Sequence, residues 1–228
     1  MSLPAYWLTR PGPAPDAATR TAFDELLARA VAAGPGEPID YRLAAPKWQF
    51  LCHVADRGEA LLHGSSAPEI ELFEPRQSND IAEFGNRTAV YAAADGLWAM
   101  YFAILDRPRH LMSLTNSCFR VLGEDGTASE PHYFFSVNKE VLEQHQFSTG
   151  TVYLLPPGPF EREAPYEEGG RLVETAQAAA LEPVAPLAKL TVERADFPLR
   201  IRGHDYPTLA ARIETDPGGF PWLTDDEV

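Results

Sequence analysis

The sequence predicts an α+β fold in which a helical layer precedes a core of two packed, strand-rich sheets. Two observations carry this reading. Two amphipathic helix-length segments open the chain, and from Ala60 onward the order is strand, long loop, strand, helix, then mostly strands. A third observation is negative: helices and strands do not alternate as a parallel α/β repeat, and neither G-x-G-x-x-G nor G-x-x-x-x-G-K-[ST] occurs.

The first helix is expected over Ala14–Ala33. Asp16 suits its N-cap, Phe23, Leu26, Leu27 and Val31 recur at helical spacing, and Gly34-Pro35-Gly36 stops it. A second helix begins near Pro46, carries Trp48, Leu51, Cys52 and Val54, and ends at Gly58. Strands are expected at Ala60–His63, Thr88–Ala93, Leu111–Val121, Pro131–Val137 and Gly150–Leu155, with short helices at Leu97–Leu105 and Lys139–His145. Glu124-Asp125-Gly126 reads as a hairpin turn.

Beyond Pro156 the composition changes. Pro156-Pro157-Gly158-Pro159 is a turn, and Glu161–Gly170 reads as an acidic loop. Leu187–Ala195 alternates as a strand, and Tyr206–Glu214 reads as a short helix with Pro207 near its start. Asp216–Val228 is expected to be irregular, with Asp225-Asp226-Glu227 a solvated tail. The implied organisation is a helical region over 1–59, a core over 60–165, and a C-terminal extension over 166–228 with one strand and one short helix packed on the core.

Composition excludes several classes of function. With 228 residues, 45% of them hydrophobic and 11% aromatic, the chain has ample material for a buried core. A net charge of −14 opposes non-specific binding to nucleic acid and anionic lipid. Arg107, Arg109 and Arg120 are scattered and read as ordinary surface charges. The start, Met1-Ser2-Leu3-Pro4-Ala5-Tyr6, lacks a basic n-region and an apolar h-region, and no apolar run reaches membrane-spanning length. Cys52 and Cys118 lie in apolar contexts that suit reduced, buried thiols. The expectation is a soluble cytoplasmic protein with no membrane partner. No C-x-x-C or H-E-x-x-H occurs, and His110, His132, His145 and His204 are dispersed, so no metal site is expected. Cys52 and His53 are neighbours on a helix, so their side chains diverge and form no nucleophile–base pair.

One constellation carries chemistry. His63-Gly64-Ser65 lies where a strand runs into a loop, Tyr91 lies on a strand among the small residues Ala89, Ala92, Ala93 and Ala94, and Tyr101 and Phe102 lie on the next helix. A strand-end histidine is served equally by a hydrogen bond to a neighbour. Gly64, however, admits close backbone approach of a ligand, and the alanines leave space beside the Tyr91 ring. Of the two helical aromatics only one is expected to face a ligand, and Tyr101 is taken here. Imidazole, phenol and a second ring at these positions suit the nicotinamide and ribose of NAD, whose glycosidic cleavage develops positive charge on the sugar.

This pattern resembles the ADP-ribosyltransferase superfamily, in its His-Tyr-acid branch that includes poly(ADP-ribose) polymerases and rifampin ADP-ribosyltransferases. The resemblance spans about Ala60–Glu163 and is carried by His63-Gly64-Ser65, by Phe84-Gly85-Asn86-Arg87-Thr88-Ala89-Val90-Tyr91-Ala92, and by Ala99-Met100-Tyr101. It implies a split β-sheet core and NAD as co-substrate. The implied activity is transfer of ADP-ribose to an acceptor, with a protein or small molecule favoured over nucleic acid. His63 would hold the ribose, Gly64 would pair with the carboxamide, and Tyr91 would stack on nicotinamide with Tyr101; Ser65 and Ala92 would line the site. Matching Gly150-Thr151-Val152-Tyr153-Leu154 to the polymerase acid-bearing strand puts Thr149 or Gly150 at the acid. The rifampin-type match over Thr151–Glu163 offers Glu163 first and Glu161 second; both are otherwise solvated loop charges.

Between the motifs, Arg76 with Ser78 and Asn79 suits a diphosphate, or Arg76 pairs with Glu74 or Asp80. Asn86 and Arg87 carry the same ambiguity. Two other readings of the same residues are a non-catalytic NAD or ADP-ribose binding module and an NAD-dependent RNA 2′-phosphotransferase. The latter calls for more arginines than Arg76 and Arg87. A reading from another class is a small structural or immunity-type protein whose acidic face meets a basic partner.

Overall fold

In a computed structural model that describes residues 3–78, 80 and 82–223, the chain is α+β with two mostly antiparallel sheets. In chain order the elements are α1 (Ala17–Ala33), α2 (Lys47–Asp56), β1 (Leu61–Ser65), β2 (Arg76–Gln77), β3 (Thr88–Ala93), α3 (Gly96–Ala103), β4 (Leu114–Val121), β5 (His132–Asn138), α4 (Lys139–Glu143), β6 (Gly150–Leu155), β7 (Glu161–Arg162), β8 (Tyr166–Glu168), β9 (Arg171–Thr175), β10 (Gln177–Ala180), β11 (Ala188–Val192), β12 (Arg202–His204) and α5 (Tyr206–Thr215). Asn79 and the Asp225-Asp226-Glu227 tail lie outside the described residues. No described helix is long and apolar enough to cross a membrane.

The first sheet runs β11-β6-β1-β3-β10-β7, with β2 pairing onto the start of β3. The second runs β12-β5-β4-β9-β8, antiparallel except where β12 lies parallel to β5. Between them sits α3, whose sequence Gly-Leu-Trp-Ala-Met-Tyr-Phe-Ala is apolar almost all round and so suits burial on several sides. It packs against Leu62, Ala93, Val152 and Leu154 of the first sheet and Tyr133, Phe135 and Val137 of the second, with α1 and α2 completing one continuous core. The Asp16 cap forms as expected, its carboxylate accepting from Thr19 N at 2.8 Å. A smaller apolar cluster occupies the opposite face of the first sheet, where Leu61, Phe73, Val90, Ala92 and Tyr153 meet.

The organisation differs from the sequence expectation in one respect. The segment after residue 165 is not an extension: β10 lies between β3 and β7, and β11 flanks β6, so both are members of the central sheet. The acidic stretch read as a loop contains β7 and β8, the latter pairing with β9 just beyond it. Edge strands this short and charged carry little apolar alternation to betray them.

Candidate functional site

Strand register fixes where the two motif side chains project. On β1, His63 pairs with Tyr153 of β6 and Gly64 with Val152. Tyr153 belongs to the smaller apolar cluster and Val152 to the main core, so His63 faces away from α3 and Gly64 faces toward it. On β3, Val90 and Ala92 face the smaller cluster with Ala178 and Ala180, which turns Tyr91, paired with Ala179, to the α3 side. His63 and Tyr91 therefore project from opposite faces of one sheet.

They meet only where the two strands part, through the Tyr91 backbone. β1 runs five pairs along β6, but its ladder with β3 is the single pair Leu62↔Ala93. Beyond that pair the His63 imidazole takes the place of ladder hydrogen bonds, with Nδ1 2.7 Å from the Tyr91 carbonyl oxygen. A carbonyl only accepts, so Nδ1 carries the proton. Burial pushes the His63 pKa below its ordinary value; the Tyr91 carbonyl opposes this, and nearby Arg107 adds to the depression. The result is a neutral ring whose Nε2 lone pair has no hydrogen-bond donor among the described residues. Phe73 packs over the ring at 4.6 Å between centroids. On the other face, the Tyr91 hydroxyl receives Arg87 N–H at 2.7 Å and donates to the Phe84 carbonyl at 2.9 Å, which fixes the phenol against the 84–87 turn.

Several expected site residues stand elsewhere. Tyr101 is fully buried, donates its hydroxyl to the Ser136 carbonyl at 2.9 Å, and packs on Phe135. It is a core residue, and the half-buried Phe102 is the helical aromatic that opens to a cavity, beside Ser65 and Ser66. Gly64 also reads differently in three dimensions. A Cβ there would stand 1.9 Å from Ala99 O and 2.7 Å from Ala103 N, so its missing side chain admits helix α3 rather than a ligand. Gly150 does the same on β6, with Ala103 O at 1.8 Å. Ala92 is buried on the face away from α3. Ser65 accepts Ala67 N–H at 3.1 Å, and Arg76 is exposed on β2 opposite Ala89.

Neither candidate acid reaches the place where β1 and β3 part. From β1, β7 is three strand positions away, across β3 and β10, or about 14 Å at the usual strand spacing. On β7, Glu161 is paired with Arg87 at 3.2 Å. Just past β7, Glu163 accepts the Thr175 hydroxyl at 2.5 Å. No carboxylate bonds His63 or Tyr91 among the described residues.

A second polar assembly escaped the sequence reading. A cleft of about 400 Å³ is lined in part by Arg10, Asp56, Asp95, Cys118, Arg120 and Arg162. Asp95, only 2% exposed, caps α3 through Trp98 N–H at 3.0 Å and accepts Arg10 at 2.8 Å and the Tyr133 hydroxyl at 2.7 Å. Asp56 accepts from both Arg10 and Arg120. Arg162 is matched with Glu174. This is a joint that fastens the N-terminal arm to α2, α3 and β5. Its one sequence signal was Asp95 immediately before an apolar helix. Beside it Cys52 and Cys118 are buried thiols, their pKa values pushed up chiefly by burial. No cluster of metal-ligating side chains occurs among the described residues.

Compared with family models, curated proteins and solved structures, the chain matches none of them.

Proposed function

We propose that this chain binds NAD with its nicotinamide end beside His63, where β1 and β3 part, and transfers ADP-ribose to an acceptor. One observation supports this reading above the others: a neutral His63, held as its Nδ1–H tautomer across the parted strands, with Tyr91 on the facing strand. The free Nε2 lone pair suits acceptance of a hydrogen bond from a ribose hydroxyl. An uncharged ring there adds no positive charge beside a sugar that becomes cationic as nicotinamide leaves. With a net charge of −14, a protein side chain, a small molecule or water is the favoured acceptor over nucleic acid. RNA 2′-phosphate removal is disfavoured, because Arg87 is engaged by Glu161 and leaves Arg76 without a companion to clamp a phosphate.

The remoteness of Glu161 and Glu163 favours a second reading, a module that binds NAD or ADP-ribose without cleaving it. Thermal-shift titration with NAD, followed by nicotinamide release with and without cell lysate, separates the two. Transfer predicts a stabilising shift and lysate-dependent release that His63→Ala abolishes. A shift without release selects the binding module. No shift with NAD or ADP-ribose, or full turnover by His63→Ala, removes the assignment.

A further inference from the structure

Where β1 ends, a second cavity of about 350 Å³ opens, lined by Ser65, Ser66, Phe102, Arg107, His110 and Met112 among others. Its distinguishing member is Arg107. Several arginines of this acidic chain are matched with carboxylates: Arg10 with Asp56 and Asp95, Arg57 with Glu59, Arg87 with Glu161, Arg120 with Asp56, Arg162 with Glu174. The turn after α3 contains a buried carboxylate, Asp106, but that group takes Arg109 at 3.0 Å and lies 3.8 Å from His110. Arg107, one residue from it, is exposed and makes no hydrogen bond or ion pair among the described residues. The residue read from sequence as an ordinary surface charge is thus a free guanidinium at a cavity mouth, close enough to His63 to oppose protonation of that ring.

The rest of the wall suits the same ligand. Ser65 already accepts Ala67 N–H, which leaves its hydroxyl proton to donate, and Ser66 adds a second hydroxyl. Phe102, Leu105 and Met112 supply an apolar side. Hydroxyl donors and a planar five-donor fork against an apolar wall match a phosphodiester flanked by a sugar. The cavity begins one residue past Gly64, where a dinucleotide with its nicotinamide ribose at His63 would continue. We propose that this cavity receives the diphosphate of NAD or ADP-ribose, with Arg107 as its cationic anchor. The inference rests on the NAD reading above and moves the diphosphate contact from Arg76 to Arg107.

The test is calorimetric titration of the full chain with ADP-ribose and, separately, with nicotinamide. Variants are Arg107→Ala, Arg107→Lys and the charge-matched control Arg200→Ala, an exposed arginine elsewhere. Arg107→Ala is expected to weaken ADP-ribose about tenfold or more while nicotinamide is unchanged. Arg107→Lys should recover part of the loss and Arg200→Ala should match wild type. Equal weakening by Arg200→Ala, or ADP-ribose binding by Arg107→Ala at wild-type strength, overturns the Arg107 assignment and leaves the NAD reading standing. Wild-type protein that binds neither probe overturns both.

Discussion

Gly64→Ala separates two uses of one missing side chain. An added Cβ would lie 1.9 Å from Ala99 O and 2.7 Å from Ala103 N, both backbone atoms of α3. An ordinary carbon–oxygen contact is about 3.3 Å or longer, so the helix must retreat by about 1.4 Å. It has little room, because Leu97, Met100 and Tyr101 are completely buried between the two sheets. Overpacking of a core costs about 1–3 kcal/mol, and rigid backbone at the clash places this variant at the upper end, about 3 kcal/mol. For a chain of this size each kcal/mol lowers Tm by about 2–4 °C, so the expected loss is about 6–12 °C. Circular dichroism melts without ligand measure it, with Ser65→Ala as a neighbouring control that should stay within about 2 °C. Gly150→Ala, whose Cβ would meet Ala103 O at 1.8 Å, should behave like Gly64→Ala. A Gly64→Ala protein that melts with wild type but loses nicotinamide binding would refute the helix-contact reasoning and return the residue to the ligand.

The remaining predictions concern charge. Asp95→Ala removes the α3 cap and a buried partner of Arg10 and Tyr133 at once. A loss of about 3–5 kcal/mol is expected in urea denaturation, and a change under about 1 kcal/mol would contradict the joint described above. The folded His63 pKa lies below its unfolded value of 6.5, so the unfolded chain binds the proton first as pH falls. Stability should therefore be complete above about pH 6.5 and decline below it. His132, depressed by burial and by Arg120, contributes with the same sign. His63→Gln should flatten part of that acid-side slope, and an unchanged slope in melts from pH 5 to 7.5 would count against a buried neutral ring. Finally, Arg202 is 5% exposed, with Nε and Nη1 lacking hydrogen-bond partners among the described residues while its guanidinium lies over Phe134. Arg202→Met should leave stability within about 1 kcal/mol of wild type or raise it, as judged by Tm; a fall of several kcal/mol would show that the guanidinium is satisfied.

What could be read from the sequence follows from which physical signals are local. Asp16 before an amphipathic run, and the apolar stretch Thr151–Leu155, each name their element without help from the rest of the chain. The short acidic strands β7 and β8 do not, since exposed edge residues alternate nothing. The motif residues were found as residues, but their directions were not available, because a shift of one position in register reverses the face of every side chain on a strand. Hence His63 and Tyr91 were expected to serve one nicotinamide site and stand on opposite faces of a parted ladder. Gly64 shows a related ambiguity: a glycine reports that something comes close without saying whether it is a ligand or a helix. The distance of Glu161 and Glu163 from His63 depends on β10, a strand from the last third of the chain whose insertion no local pattern encodes. Arg107 was passed over for the same reason, since its lack of a partner is a property of the folded turn.

The placement of β10 and β11 also sets an order of events during synthesis. β6 is complete at Leu155, yet its outer neighbour ends only at Val192. A ribosome adding about 5–20 residues per second needs roughly two to seven seconds to make the intervening segment. During that interval the nascent chain carries β3 and β6 with bare amide edges, the geometry that recruits strands from other molecules. Premature stop products ending near residue 165 are thus expected to clump rather than persist as a working fragment, and slow codons in that window would lengthen the hazard.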